Sequence, residues 1–453
     1  MRRLFGTDGV RGIANDFLTV ELAMKIGRAT ATVLSSGSRY RPLVLVGTDT
    51  RISAQMLSSA LAAGLCSVGA DVIDVGVLPT PAVAHLTGKY RADAGVVISA
   101  SHNSYEYNGI KIFSSDGFKL PDALEEQIED IVLDTAAQPL LAPAHKIGRV
   151  RREENAAADY IEYLRRTAFN DLCGLSVAID CAEGAASVTA ESLFSSLGAK
   201  CHMLANCPNG ININDGCGST HLASLKKYVK ENKLDAGIAF DGDADRLLCV
   251  DENGNEVDGD VIMAILAKDM KERGVLRENT VVGTVMSNLG FIKFCEENGI
   301  RFISAKVGDR YVLEIINQEG YSFGGEQSGH VIMRDYATTG DGQLTALQLL
   351  SLIKREKKTL SDLASVMRRY PQCLVNIKTT PEGKLAFYTD KDVARILEEA
   401  KALLAERGRI VVRPSGTEPL LRVMVESETE EETKRVAEET AERIRACLLA
   451  YEG

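Results

Sequence analysis

One pattern of apolar and polar positions recurs three times along the chain. Each copy has a short apolar run, a polar loop, a helical stretch that ends at a glycine, and a second apolar run. The copies span residues 43–75, 175–204 and 281–304, and the glycines are Gly69, Gly198 and Gly299. Glycine at the end of a helix adopts positive φ without steric cost. The pattern predicts three α/β units with right-handed crossovers and parallel strands. An ordinary doubly wound protein also repeats strand and helix, which leaves that alternative open.

The C-terminal part of the chain follows a different pattern. One apolar run precedes a first helical stretch, and two further apolar runs precede a second helical stretch, which is strongly charged. The runs lie at residues 374–377, 409–412 and 420–426, and the helical stretches at 392–406 and 430–449. Such a pattern is typical of an α+β domain with antiparallel strands and helices on one face. We therefore predict four domains, with boundaries at residues 1–145, 146–253, 254–367 and 368–453.

Composition and charge narrow the class of partner. The 453 residues are 45% hydrophobic and 25% charged, without an apolar run long enough to span a membrane. The 63 acidic residues outnumber the 52 Lys and Arg, giving a net charge of −11 that repels nucleic acid. The ten cysteines form no C-x-x-C pair, and the N-terminus lacks the apolar stretch of a signal peptide. We expect a cytoplasmic protein with reduced, mostly buried thiols and neither a nucleic-acid nor a membrane partner.

The first of four polar loops with candidate chemistry is Ser99-Ala-Ser-His-Asn103. It follows the apolar run 94–98, and α/β proteins bind ligands at the C-terminal ends of parallel strands. Adjacent side chains in an extended loop point apart and the G-x-S-x-G elbow is absent, so Ser101 and His102 are a poor hydrolase pair. Ser101 is a candidate functional residue, and the alternative is that its hydroxyl only shapes the turn.

The second loop carries three carboxylates, Asp241, Asp243 and Asp245, between two apolar runs. Carboxylates at i, i+2 and i+4 after a strand can converge on one hard divalent cation, and Mg²⁺ would need further oxygens from water and a phosphate. An EF-hand is excluded because its glycine position holds Arg246 and its centre is an apolar strand. The alternative to a metal site is a solvated acidic turn.

The third loop runs from Gly324 to His330 and combines glycines with polar side chains of different hydrogen-bonding type. Glu326, Ser328 and His330 suit a ligand with several hydroxyl groups. Because glycine-rich polar loops are common, a plain turn is the alternative.

The fourth loop is Arg413-Pro-Ser-Gly-Thr417, with Arg422 on the following apolar run. Two guanidinium groups, two hydroxyls and the backbone N–H groups of a turn can bind a phosphate. Since the flanking helices are acidic, this basic position is not explained by the general charge of the region.

Together, the order and spacing of the four loops resemble the α-D-phosphohexomutase superfamily, and the resemblance covers essentially the whole chain. Residues 5–12, 306–310, 326–330 and 338–342 resemble the members that act on glucosamine phosphates more than those that act on mannose or glucose phosphates. The implied fold is three similar mixed-sheet α/β domains followed by an α+β domain, around a central active-site cleft. The implied reaction interconverts glucosamine 6-phosphate and glucosamine 1-phosphate, toward UDP-N-acetylglucosamine and cell-wall precursors.

The resemblance also implies a role for each candidate residue. Phosphorylated Ser101 would be the phosphoryl carrier, and its phosphate would bind Mg²⁺ together with Asp241, Asp243 and Asp245. Arg11 and Arg246 would add positive charge, and either Lys111 or His102 would transfer a proton, for which Lys111 needs a lowered pKa. Sugar hydroxyls would contact Glu326, Ser328 and His330. The non-reacting phosphate of a sugar 1,6-bisphosphate intermediate would contact Arg413, Ser415, Gly416, Thr417 and Arg422.

Two residues depart from the pattern of the superfamily. The usual proline after Ser-His-Asn is Ser104, which we expect to loosen the nucleophile loop. The usual middle glycine of the acidic loop is Ala244, which we expect to exclude a positive φ there.

Two alternative functions stay open. A phosphomannomutase or phosphoglucomutase would share every catalytic residue, and a non-catalytic sugar-phosphate sensor would be expected to lose Ser101 or one of the aspartates. The oligomeric state, with a homodimer as one option, is not given by the sequence.

Overall fold

The computed structural model describes residues 4–6, 8–35, 41–134, 139–415 and 419–451. They form four sheets, here called the first to the fourth in chain order. The first sheet has the strand order β1-β5-β4-β2-β3-β6. Its strands are β1 (Val10–Ile13), β2 (Leu43–Thr48), β3 (Asp71–Val77), β4 (Ala94–Ile98), β5 (Tyr107–Ser114) and β6 (Val150–Arg152). Its helices are α1 (Val20–Ser35), α2 (Ala54–Ser67), α3 (Thr80–Lys89) and α4 (Asp122–Leu133).

The first sheet is mixed. Strands β2, β3, β4 and β6 pair in parallel, whereas β5 runs antiparallel to both β4 and β1. The repeat predicted β2, α2 and β3, and the closing glycine Gly69 has a φ of +100°. Strand β6 lies beyond residue 145 and still joins this sheet, so the sheet extends past the predicted boundary. Its three residues are all exposed and two are arginines, which leaves no apolar pattern to reveal a strand.

The second sheet has the order β11-β10-β9-β7-β8 and the third has the order β13-β12-β14-β15. The strands of the second are β7 (Ser176–Asp180), β8 (Lys200–Leu204), β9 (Ala236–Phe240), β10 (Leu247–Asp251) and β11 (Glu256–Val257), with helices α5 (Ala156–Thr167), α6 (Ala190–Ser196) and α7 (Ala223–Asn232). The third contains β12 (Thr280–Thr284), β13 (Arg301–Ala305), β14 (Phe323–Gly325) and β15 (Val331–Met333), with α8 (Gly259–Glu272), α9 (Leu289–Glu297), α10 (Asp309–Glu319), α11 (Gly342–Glu356) and α12 (Leu360–Ala364). Both sheets are mixed, with the parallel crossovers that the repeat predicts.

The fourth sheet is antiparallel, in the order β16-β18-β17. It contains β16 (Gln372–Lys378), β17 (Arg409–Pro414) and β18 (Leu420–Glu426), with helices α13 (Pro381–Thr389), α14 (Lys391–Leu404) and α15 (Glu430–Leu448). The sequence did not indicate α13. The architecture of three mixed α/β units and one α+β unit confirms the predicted fold class.

The apolar cores divide the molecule unequally. One continuous cluster joins residues of the first three sheets, among them Phe113, Phe240 and Phe291. The fourth sheet and its helices have a separate core around Val423 and Ile444. The first three sheets therefore share packing that the fourth does not.

A buried carboxylate joins the fourth sheet to the third. Glu426 on β18 has no exposed surface and accepts a hydrogen bond from Arg409 Nε at 2.6 Å. Its carboxylate also accepts from the N–H of Leu289 at 2.9 Å and from Asn288 Nδ2 at 3.2 Å. Because α9 begins at Leu289, the carboxylate lies at a helix N-terminus, where negative charge is favoured.

The cysteines and the helices relate to two predictions from the sequence, reduced thiols and no membrane-spanning segment. All ten cysteines are free, and eight of them are buried or partly buried while Cys173 and Cys207 are exposed. Among the helices that the structure describes, none has the length and apolar character needed to cross a lipid bilayer.

Candidate active site

Ser101 lies in the loop after β4, where only 2% of its surface is exposed. Its hydroxyl donates a hydrogen bond of 2.5 Å to Asp241 Oδ2 of the acidic loop. Its φ is +50°, in the left-handed region that a residue with a side chain rarely adopts. The structure thus brings the first and second candidate loops into direct contact.

His102 points toward the same hydroxyl, with 3.3 Å between its Nδ1 and Ser101 Oγ. Burial lowers the pKa of His102 to about 4, and the positive charges of Arg246 and Arg11 act in the same direction. The imidazole is therefore neutral at pH 7 and has a lone pair that can accept a proton.

The three aspartates of the acidic loop converge between β9 and β10. Asp241, Asp243 and Asp245 are buried, and one carboxylate oxygen of each lies within 4.8 Å of the others. In the described part of the chain, Asp243 Oδ1 and Asp245 Oδ1 are buried without a hydrogen-bond partner. Unsatisfied carboxylate oxygens that face one another suit a hard divalent cation, so the donor set fits the predicted metal site.

The acidic loop approaches the nucleophile loop closely because residue 242 is a glycine. A Cβ added at Gly242 would lie 2.6 Å from the carbonyl oxygen of Ser101. Any larger residue would push the two loops apart and break the contact between Ser101 and Asp241.

The expectation about Ala244 is wrong, because this alanine has a φ of +57°. Its N–H donates to the carbonyl of Asp241, and its own carbonyl accepts from the N–H of Gly342, each at 3.0 Å. Left-handed backbone costs a non-glycine residue roughly 1–2 kcal/mol. The surrounding hydrogen bonds hold the conformation that glycine would adopt more easily.

Lys111 lies on β5 and reaches the acidic loop from the first sheet. Its Nζ is 2.9 Å from Asp243 Oδ2, 3.2 Å from Asp8 Oδ2 and 3.8 Å from Asp245 Oδ2. Burial alone would lower the pKa of Lys111, but the three carboxylates outweigh it and raise the pKa above its ordinary value. Lys111 is therefore a cation, and its positive charge compensates part of the negative charge of the acidic loop.

Arg11 contacts the nucleophile loop, and Arg246 directly follows the acidic loop. Arg11 Nη1 donates to Asn103 Oδ1 at 3.3 Å, and its guanidinium pairs with Asp8. Arg246 Nε is 3.8 Å from Asp245 Oδ1. Among the described residues, the buried Nε atoms of both arginines have no hydrogen-bond partner, so each can receive an anionic ligand.

The third loop forms the turn between β14 and β15. Glu326 Oε1 accepts a hydrogen bond of 2.9 Å from the N–H of Gly308, which precedes α10. Ser328 Oγ is buried and lacks a hydrogen-bond partner in the part of the chain that the structure covers. An unsatisfied hydroxyl next to an oriented carboxylate can bind a polyhydroxylated ligand.

His330 ends the same loop and lies between two carboxylates. Its Nδ1 is 3.6 Å from Asp245 Oδ1, and its Nε2 is 3.5 Å from Asp309 Oδ2. Burial would lower the pKa of His330, but Asp245 and Asp309 outweigh it and raise the pKa to about 9. His330 therefore connects the third loop with the acidic loop.

Lys119 bridges the first and third sheets, and sequence reasoning missed it. Its Nζ lies 2.9 Å from Asp8 Oδ1 and 2.7 Å from Asp309 Oδ2. Burial opposes the charged form, yet Asp309 and Asp8 raise the pKa of Lys119. Asp8 and Asp309 fall within the segments 5–12 and 306–310 that carry the resemblance, which was the only signal available.

The fourth loop carries two arginines that face each other across neighbouring strands. Arg413 on β17 is the direct cross-strand partner of Arg422 on β18, so the two side chains share one face of the sheet. Burial lowers the pKa of Arg413, and the charge of Arg422 adds to this. Like charges placed opposite each other favour a bound anion.

The rest of this loop is covered only in part. Ser415 is buried, and its carbonyl accepts from Lys384 Nζ at 2.7 Å, whereas Gly416 and Thr417 lie outside the described residues. Of the four candidate loops, the first contacts the second through Ser101 and Asp241, and the third approaches the second through His330 and Asp245. Among the residues that the structure describes, no hydrogen bond or ion pair joins Arg413 to those three loops.

Models of one protein family match four successive parts of the chain. Residues 2–138, 158–254 and 258–370 match the alpha/beta/alpha domains I, II and III of phosphoglucomutase/phosphomannomutase. Residues 374–443 match the C-terminal domain of the same family.

Similar proteins and structures agree with this match. A phosphoglucosamine mutase of Acetivibrio thermocellus is 53% identical over 94% of this chain and 95% of its own length, and one of Clostridium tetani is 52% identical over 98% and 99%. The crystal structure of a phosphoglucomutase/phosphomannomutase family protein from Burkholderia thailandensis has a TM-score of 0.82 at 23% identity, covering 98% of both chains. An N-acetylphosphoglucosamine mutase of Aspergillus fumigatus, solved with GlcNAc-6P and magnesium, has a TM-score of 0.70 at 15% identity, covering 99% and 96%. The chain belongs to the phosphoglucomutase/phosphomannomutase family.

Proposed function

We propose that this protein interconverts glucosamine 6-phosphate and glucosamine 1-phosphate. The reaction passes through a phosphorylated Ser101 and a sugar 1,6-bisphosphate, and its product feeds the synthesis of UDP-N-acetylglucosamine. The observation that carries the proposal is the 2.5 Å contact of the buried Ser101 hydroxyl with the acidic loop. Relatives named phosphoglucosamine mutase, at 51–55% identity over nearly the full chain, support the choice of sugar.

Asp241, Asp243 and Asp245 are the residues that would hold Mg²⁺. Their donor atoms are all hard oxygens, which magnesium prefers over softer metals. In the described residues, one carboxylate oxygen of Asp243 and one of Asp245 are buried without a hydrogen-bond partner. When bound, the cation would neutralise negative charge on the transferring phosphoryl group.

The positive side chains around Ser101 have a related task. A phosphate on Ser101 would be placed against the carboxylate of Asp241, where repulsion between like charges is strong. Arg11 and Arg246 offset part of that repulsion, because Arg11 contacts Asn103 of the nucleophile loop and Arg246 lies near Asp245 of the acidic loop. In the first transfer the bond between phosphorus and Ser101 Oγ breaks, a bond to a sugar oxygen forms, and the proton of that sugar hydroxyl is taken up by a base. In the second transfer the bond between phosphorus and the other sugar oxygen breaks, the bond to Ser101 Oγ forms again, and the proton is returned to that sugar oxygen.

Lys111 and His102 are the two candidates for that base. His102 is neutral at pH 7 and lies near Ser101 Oγ, which makes it available without further change. Lys111 must first lose the proton that Asp243, Asp8 and Asp245 stabilise. A cation on Asp243 and Asp245 lowers the pKa of a neighbouring lysine, so both candidates are kept.

Recognition of the substrate is divided between the third and fourth loops. We assign the sugar hydroxyls to Glu326, Ser328 and His330. We assign the non-reacting phosphate to Arg413, Ser415, Gly416, Thr417 and Arg422. One distal phosphate site can serve both halves of the reaction, because the bisphosphate turns around between the two transfers.

The wider assignments are proposals as well. We keep the domain boundaries at residues 145, 253 and 367, although β6, which lies after the first of them, pairs with the first sheet. We place the protein in the cytoplasm, since its ten free cysteines suit a reducing compartment. A small phosphorylated amino sugar is the proposed partner, and a homodimer stays one option for the assembly.

Comparison of three sugars tests the proposed function. We expect turnover of glucosamine 6-phosphate, with Mg²⁺ and a catalytic amount of glucose 1,6-bisphosphate, to exceed that of the 6-phosphates of glucose and mannose in kcat/KM. A preference for glucose or mannose phosphate would favour a phosphoglucomutase or phosphomannomutase. Binding of these sugars without turnover would favour a sensor.

Loss of the distal arginines should weaken catalysis without removing phosphate from Ser101. One charge-assisted Arg–phosphate contact contributes about 1.5–3 kcal/mol, so Arg413→Ala and Arg422→Ala should each lower kcat/KM about ten- to a hundredfold. Steady-state kinetics and the bound phosphate per chain measure both effects. Arg395→Ala, which removes an exposed arginine of the same domain, is the matched control. Unchanged kcat/KM in both variants would place the distal phosphate elsewhere.

A further inference from the structure

The backbone carbonyls of the nucleophile loop converge on one buried guanidinium group. Arg51 follows β2, and its side chain has no exposed surface. Its Nη2 donates to the carbonyls of Ser101 at 2.9 Å and Asn103 at 2.8 Å, and its Nη1 donates to the carbonyl of Ser104. A single planar fork thus holds three carbonyls within four consecutive residues.

Asp49 fixes the orientation of this arginine. Its Oδ2 accepts from Arg51 Nε at 2.8 Å and from Ser99 Oγ at 2.6 Å. Ser99 Oγ in turn accepts from the N–H of Ser101 at 3.0 Å. The charge of Arg51 is therefore compensated inside the protein by a carboxylate that is itself fully buried.

Asn214 holds the same carbonyls from the second sheet. Its Nδ2 donates to the carbonyls of Ser101 and Asn103, each at 2.9 Å. Its own N–H donates at 2.9 Å to the carbonyl of Ala182, in the turn after β7. The loop is thus fixed from two domains at once.

The hydrogen bonds from Arg51 and Asn214 hold a residue whose backbone conformation is strained. Ser101 keeps its left-handed φ of +50° although a serine prefers other regions of backbone space. If its carbonyl were released, rotation toward a preferred region would move Oγ away from Asp241. The hydrogen bonds at Ser104 also counter the expectation that loss of the usual proline loosens the loop.

We propose that Arg51 and Asn214 are positioning residues that hold Ser101 in the left-handed conformation required for phosphoryl transfer. The proposal rests on the function proposed for Ser101. Neither residue touches the reacting atoms, and they act through the carbonyls of the loop. Misplacement of a nucleophile by about 1 Å lowers rates on the order of a hundredfold.

Three variants test this proposal. Arg51→Met removes all donors, Arg51→Lys keeps the charge without the fork, and Asn214→Gly removes the amide while allowing the φ of +59° at that position. Arg28→Met is the matched control, because Arg28 is a partly buried arginine of the same domain that bonds Ser67. The measurements are the thermal midpoint, kcat and KM for glucosamine 6-phosphate, and the rate at which glucose 1,6-bisphosphate phosphorylates Ser101, followed by intact mass.

We expect Arg51→Met to lower kcat and the rate of Ser101 phosphorylation about a hundredfold at nearly constant KM, with partial recovery in Arg51→Lys. Asn214→Gly should lower both in the same way but less, and Arg28→Met should change neither. If Arg51→Met does not fold, the other two variants decide. A kcat within about twofold of the unmodified protein in folded variants, or a rise in KM alone, would overturn the proposal.

The phosphorylation rate separates this proposal from the one it rests on. It reports on Ser101 whichever sugar the enzyme turns over. An unmodified protein that is active but never phosphorylated at Ser101 would refute the proposed function. Fast phosphorylation of Ser101 in both Arg51→Met and Asn214→Gly would refute the positioning role alone.

Discussion

Replacing Ser101 with alanine should lower turnover by roughly four orders of magnitude or more while leaving the fold intact. Removal of a covalent nucleophile has effects of this size, because the remaining site can bind substrate but cannot carry the phosphoryl group. The alanine lacks the Oγ atom, so the hydrogen bond from Ser101 to Asp241 is lost and no new group enters the site. Initial rates with glucosamine 6-phosphate, together with intact mass before and after incubation with glucose 1,6-bisphosphate, measure the effect.

Ser115→Ala is the control for this experiment, because Ser115 is an exposed serine of the same domain. It should retain activity and the added mass of one phosphate. Activity of Ser101→Ala within tenfold of the unmodified protein, with no phosphoserine in either, would show that Ser101 is not the carrier.

Asp243→Asn should weaken both magnesium binding and activity. The exchange removes one charged ligand from the triad and the partner of Lys111 Nζ at 2.9 Å. Because affinity in oxygen-ligand sites depends on the number of charged ligands, the Mg²⁺ concentration for half-maximal activity should rise roughly tenfold or more. Titration calorimetry with Mg²⁺ gives a second measurement that does not depend on turnover, and a chelator should abolish activity until Mg²⁺ is restored.

The matched control is Asp215→Asn, an exposed aspartate of the same domain. Its dependence on Mg²⁺ should equal that of the unmodified protein. A tightly bound zinc ion at the triad, or activity that persists in the chelator, would contradict a magnesium site.

The sequence predicts those parts of the site whose residues follow one another along the chain. Ser101 follows β4, and the three aspartates follow β9, so a strand and the loop after it could be recognised together. The two strands belong to different sheets, so their order along the chain marks each loop as a ligand site but does not bring the loops together. The resemblance of the four loops to the superfamily is what placed them in one predicted site.

Contacts between distant segments could not be predicted in this way. Arg51 is 50 residues from Ser101, and Asn214 is 113 residues from it. Neither lies in a motif, and both act on backbone carbonyls that every residue possesses. Ala244 shows a related limit, since the preference of one residue for φ is weaker than the hydrogen bonds that its neighbours impose.

The unequal division of the apolar cores gives the chain two units of unfolding. Opening of one of the first three sheets would expose apolar surface of the cluster that they share, so we expect these sheets to lose their structure together. The apolar core of the fourth sheet, in the described residues, begins at residue 373 and is complete in itself. Detachment of that sheet breaks polar contacts to the third sheet, among them those of Glu426 and the bonds from Arg409 to the carbonyls of Val285 and Ser287. We therefore expect the C-terminal part to open locally at a lower free energy than that of global unfolding.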